Sequence, residues 1–153
     1  MSDYRIEKIR RRLLVILDGG DRIEGDVFLQ PSVRYRPGPE APIELLNDPD
    51  AFFPLAHPGQ SPLMIAKDHV VRVEYSGEDV DTLPGLETPG VSLDFLLSDG
   101  TTVSGTVHPE YRAERPRVLD FLNMYVGRFI PVSTGEVTSL IRRGAIIRVR
   151  ERR

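Results

Sequence analysis

Arginine is the residue of this chain best suited to chemistry, and it is crowded at the ends. Of 20 basic residues in 153, 11 fall within Met1–Arg12 and Arg142–Arg153, against only 3 acidic residues there. The intervening stretch holds the remaining 9 basic residues and 20 acidic ones. Guanidinium groups present planar donor forks that fit phosphate and carboxylate oxygens. If the two ends meet, Arg10, Arg11 and Arg12 with Arg142, Arg143, Arg148 and Arg150 form a positive patch for phosphates, an acidic protein or a membrane surface. The plainer alternative is that these arginines neutralise the acidic body of the same molecule or of a neighbouring subunit.

Two asparagines, Asn47 and Asn123, follow similar apolar pairs, each with an acid three residues earlier, Glu44 and Asp120. They are candidate polar ligand contacts at a helix end, or they satisfy backbone groups of the following loop. His57, His69 and His108 lie in three different segments without metal-ligand spacing. No Gly-x-Ser-x-Gly elbow or phosphate-binding glycine loop leading into a long helix occurs. Cysteine is absent, which removes thiol chemistry, disulfides and thiolate-ligated metals. These features predict no catalytic residue, no metal and no cofactor, and hence a protein that is not an enzyme.

The elements that must position these residues are strands. Arg12–Asp18 and Arg22–Gln30 flank Asp18-Gly19-Gly20-Asp21, and a second hairpin turns at Ser98-Asp99-Gly100-Thr101, read as a type I′ turn. Proline-bearing loops follow, Pro31–Pro42 and Pro109–Pro116. Val118, Phe121, Leu122, Tyr125 and Val126 then form an apolar stripe at helical spacing, ended by Gly127. The earlier counterpart, Ile43-Glu44-Leu45-Leu46-Asn47, is interrupted by Pro49, with a further short turn expected through Phe52 and Phe53. Leu63–Tyr75 and Ser139–Glu151 read as closing hairpins with polar tips at Lys67-Asp68-His69 and Arg142-Arg143-Gly144.

These elements recur at an offset of roughly eighty residues. Leu13–Val27 corresponds to Leu93–Val107, with Gly25 facing Gly105; Phe52-Phe53-Pro54-Leu55 corresponds to Phe129-Ile130-Pro131-Val132; Val70–Val73 corresponds to Ile146–Val149. The expected fold is α+β: duplicated ββαββ units with antiparallel strands, sharing one core as a pseudo-two-fold sheet or barrel. The units span 1–75 and 91–153, joined by an acidic linker over 76–90.

The second half, from its Asp-Gly hairpin through Val118–Asn123 and Phe129–Val132, resembles a small uncharacterised bacterial domain family, which implies tandem copies of that domain and no mechanism. The order Gly105, Asp120, Asn123, Arg143, Gly144 is also similar to the Sm-like RNA-binding fold, and that resemblance implies a nucleotide site using Asn123 and the arginines.

The resulting expectation is a non-enzymatic cytoplasmic interaction or scaffold module that binds a protein partner or itself. An RNA- or nucleotide-binding protein of Sm-like or barrel type, and a small-molecule sensor with its pocket between the halves, are the alternatives. No apolar run has the length of a membrane span, and Met1–Arg12 lacks the apolar stretch of a signal peptide.

Overall fold

Glycine sets the tips of the first hairpins in the computed structural model, which describes residues 8–77, 90–109 and 118–152. Gly19 and Gly20 both adopt positive φ, at 88° and 95°, between β1 (Ile9–Leu17) and β2 (Arg22–Leu29). Between β6 (Val91–Leu97) and β7 (Thr102–Val107) only Gly100 does so, at 87°. The second tip is therefore a longer loop with one left-handed residue and not the expected type I′ turn, which needs positive φ at two.

Two other glycines bend the chain. A Cβ on Gly25 would lie 2.7 Å from the Ala56 carbonyl oxygen, and one on Gly105 would lie 2.5 Å from that of Ser133. These close approaches let β2 and β7 turn onto β3 (Phe52–Leu55) and β8 (Phe129–Thr134). The contact between β2 and β3 is a bridge, Asp26 to Ala56, with backbone bonds of 2.9 and 2.8 Å. Between β7 and β8 it is the single pair Thr106–Ser133.

The remaining elements are α1 (Pro42–Asn47), β4 (Leu63–Ala66), a 3₁₀ turn (Lys67–His69), β5 (Val70–Ser76), α2 (Val118–Met124), β9 (Val137–Arg142), a second 3₁₀ turn (Arg143–Ala145) and β10 (Ile146–Glu151). Eight strands form one antiparallel sheet in the order β10-β6-β7-β8-β9-β5-β1-β2, and β3 pairs with β4 in a hairpin beside β2.

This architecture overturns the expected α+β class. The described residues are mostly antiparallel sheet, with two helices of 6 and 7 residues as appendages. The segments Phe52–Leu55 and Phe129–Thr134, expected as turns or left unassigned, are strands that carry Pro54 and Pro131. Pro131 is tolerated because β8 meets β7 at one pair only, so a missing N–H on that side leaves no ladder broken. The closing hairpins are also absent. The 3₁₀ turns send β5 to β1 and β10 to β6, while β4 and β9 stay with β3 and β8.

The order strand–strand–helix–strand–strand–3₁₀–strand occurs on both sides of residues 78–89. Matching backbone bonds mark corresponding positions: Asp18 N–H to His69 O and Ser98 N–H to Ala145 O, then Lys67 N–H to Ala51 O and Arg143 N–H to Arg128 O. Registers match as well, Phe52–Ala66, Phe53–Ile65 and Pro54–Met64 against Phe129–Arg142, Ile130–Ile141 and Pro131–Leu140.

The relation between the halves is not the expected pseudo-two-fold one. A two-fold would pair a strand with its own counterpart or repeat the β5–β9 pairing as β10–β4, and β10 and β4 do not pair. Here β5, whose counterpart is β10, pairs with β9, whose counterpart is β4, from Arg72–Ile141 to Ser76–Val137. Nor is there one shared core. Two buried clusters exist, each borrowing from the other half: Phe129 and Leu140 enter the first, and Ile16 and Val71 enter the second. Residues 78–89, most of the expected linker, and 110–117, most of the second proline loop, lie outside the described residues.

Candidate interaction edges

The junction between the halves shows what a strand edge of this molecule needs in a partner. Backbone pairing of β5 with β9 provides the ladder. Around it, Asn47 at the end of α1 reads the backbone of Phe129 from both sides. Its Oδ1 accepts from the Phe129 N–H at 2.7 Å, and its Nδ2 donates to the Phe129 carbonyl at 3.1 Å and towards the Tyr125 hydroxyl at 3.3 Å. Gly127 leaves room for this amide, because a Cβ there would lie 2.6 Å from Asn47 Nδ2. Helix α1 thus rests on β8 of the other half, with Pro42, Ile43 and Leu46 buried.

Further polar ties cross the same seam. Arg142 Nε donates to the Val70 carbonyl at 2.6 Å, Thr138 Oγ1 donates to Gly77 O at 2.8 Å, and Arg128 Nε stands 3.8 Å from Asp68 Oδ1. Arg72, near the centre of β5, is nearly buried and shares a hydrogen bond with Glu74. Burial, and then the charge of Arg22, lower its pKa against the opposing pull of Asp99 in the other half. Burial alone would raise the Asp99 carboxyl. Its hydrogen bonds from the Thr101 hydroxyl and backbone N–H, at 2.6 and 3.0 Å, together with Arg72, hold it below the usual carboxylate range.

Lys67, expected at an exposed hairpin tip, is fully buried. Its ammonium spends its three donors on the carbonyls of Leu45 (2.8 Å) and Asp48 (3.3 Å) and the Asp48 carboxylate (2.7 Å), closing the C-terminal end of α1. Arg143, at the corresponding position, donates to the Tyr125 carbonyl just beyond α2. The sequence signal for this role was the recurrence of a cation directly after the fourth strand of each half.

The terminal arginines do not gather into one patch, since five strands separate β10 from β1 in the sheet. Arg10 meets the buried Asp26 at 2.7 Å, with Arg12 at 3.7 Å from the same carboxylate. Arg11 lies 4.9 Å above the Tyr75 ring and donates to Ser76 O. Arg142 and Arg143 are occupied at the seam and at α2, as above. Arg148 and Arg150 are exposed on β10 and form no ion pair with the described residues. Asn47 is engaged at the seam, whereas Asn123 is exposed on α2.

Two strand edges remain open among the described residues, β4 and β10. Leu63 and Met64 are exposed on the first and Ile147 on the second. Open edges with apolar side chains are templates for another strand, and proteins normally blunt them. Among the described residues no three His, Asp or Glu side chains group as a metal site would need, and no helix is long and apolar enough to cross a membrane. No family model matches this chain, and neither the curated proteins nor the solved structures contain a similar one.

Proposed function

We propose that this chain is a non-catalytic, cytoplasmic protein-interaction module that takes its partners along the open edges of its sheet. The observation that carries this reading is the exposure of apolar residues on β4 and β10, the two strands whose outer side has no neighbour. Strand addition uses the backbone for affinity and alternate side chains for selection, which suits edges of this length. The test is capture from the native cell by the tagged chain, compared with a Met64→Asp/Ile147→Asp variant. Partners retained by the parent and lost by the variant are expected. Identical captures, or turnover of ester, amide or phosphate substrates by the parent, would overturn the reading.

A second reading, RNA or nucleotide binding, is favoured by the exposed Arg148 and Arg150, which form no ion pair with the described residues although Asp94 lies opposite Arg150 on β6. It requires affinity for single-stranded oligonucleotides that falls linearly in log–log form with salt, and weakens when both arginines become serine.

A further inference from the structure

The seam inside the molecule joins a fifth strand to a fourth strand, and the molecule keeps one more of each unused. We propose that the chain assembles head to tail with copies of itself, β10 of one copy pairing with β4 of the next as β5 pairs with β9 within each. This rests on the edge-binding reading above and names the partner.

Carrying the internal register across corresponding positions pairs Arg148 with Ile65, Val149 with Met64 and Arg150 with Leu63. The exposure pattern fits this repeat residue by residue. Phe129 and Leu140 are 0% exposed because they insert into the first half's core at the seam, and their counterparts Phe52 and Met64 are 59% and 67% exposed. Val71 is 0% exposed because it enters the second half's core, and its counterpart Ile147 is 62% exposed. Helix α1, which contacts β8, has three buried residues while α2 has none, as expected of a helix lacking the strand its counterpart rests on. Asn47 clamps the Phe129 backbone. Its counterpart Asn123 is exposed and free to clamp the Phe52 backbone of another copy in the same way.

Two polar ties of the seam have no repeat. Ala66 stands where Arg142 does, and Gly144 and Ala51 stand where Asp68 and Arg128 do. The outer contact is therefore weaker than the seam, and its population follows concentration. Because the contact joins unlike surfaces, it passes from copy to copy until a ring closes or a filament grows.

The test is mass measurement by light scattering or sedimentation on the whole chain, at up to about 0.5 mM, enough to populate any assembly of micromolar dissociation constant. The parent is expected above the mass of one chain, and Met64→Asp and Ile147→Asp each at that mass. An equimolar mixture of the two variants, in which one sound β4 edge meets one sound β10 edge, is expected to yield a species of two chains that grows no further. Regained association in the mixture shows that both variants are folded. A parent of one-chain mass throughout, either variant remaining associated alone, or a mixture that fails to associate while both variants melt with the parent overturns the proposal. Edge-dependent capture of other proteins by a one-chain parent would leave the edge-binding reading standing without this one.

Discussion

Asn47 and Asn123 show how identical residues acquire different worth from their surroundings. Asn47→Ala strands the buried Phe129 N–H, and an unmade buried hydrogen bond costs about 1–3 kcal/mol. Asn123→Ala removes an exposed amide and is expected to shift the stability of the isolated chain by less than about 0.5 kcal/mol. Urea unfolding of the two variants at a concentration low enough to keep single chains checks the contrast, and equal losses would contradict it. Lys67→Met belongs to the same scale. It leaves the Leu45 and Asp48 carbonyls without their ammonium, with an expected loss of about 2–4 kcal/mol in the same experiment. The pairing of the asparagines was visible in the sequence because each follows an apolar pair, but spacing alone carries no information about what lies opposite, so the bond to Phe129 was not. Lys67 misled for a related reason. A polar triplet between apolar runs reads as a solvated turn, and only the folded end of α1 supplies the three acceptors that bury it.

At the scale of elements, the hairpins were legible wherever local chemistry dictates them. Asp-Gly tips, alternating apolar residues and a glycine one residue beyond Glu24 or Ser104 fix β1–β2 and β6–β7 without help from the rest of the chain. The strands containing Pro54 and Pro131 were not legible, since proline argues against pairing unless one side of the strand is known to lack a partner. The helical stripe on α2 was seen but overvalued. Phe121 and Leu122 are only partly buried and Val126 is 97% exposed, so α2 covers the edge of a core and does not seal it. The recurring glycines matter more. Gly105→Ala places a methyl against the Ser133 carbonyl, and the shift that this forces is expected to cost about 1–3 kcal/mol, with the same sign for Gly25→Ala against Ala56. Thermal melts of both variants read the effect, and an unchanged melting temperature at either site would show that the bend relaxes freely.

For the whole molecule, the exchange of side chains between clusters decides how the chain must fold. A fragment ending at residue 77 lacks Phe129 and Leu140, and one beginning at 78 lacks Ile16 and Val71, so each has a core with holes that water must fill. Neither fragment is expected to give a dispersed amide spectrum by itself, while an equimolar mixture is expected to recover the dispersion of the intact chain. Two fragments that each fold alone would mean that the borrowed residues are dispensable. The recurrence of element order was legible because turns and apolar runs repeat in the sequence. The manner of joining was not, because pairing a fifth strand with a fourth, or with another fifth, leaves the pattern of each half unchanged.

That manner of joining gives the molecule a direction. With β5 against β9 and not against β10, its two open sides are chemically unlike, one ending in arginine-bearing β10 and the other in the methionine and leucine of β4. A molecule held by either side therefore points the opposite side outward in every copy, so a layer anchored through β10 would present a uniform lawn of β4 edges, an arrow-like polarity that a two-fold arrangement of the same halves would have erased.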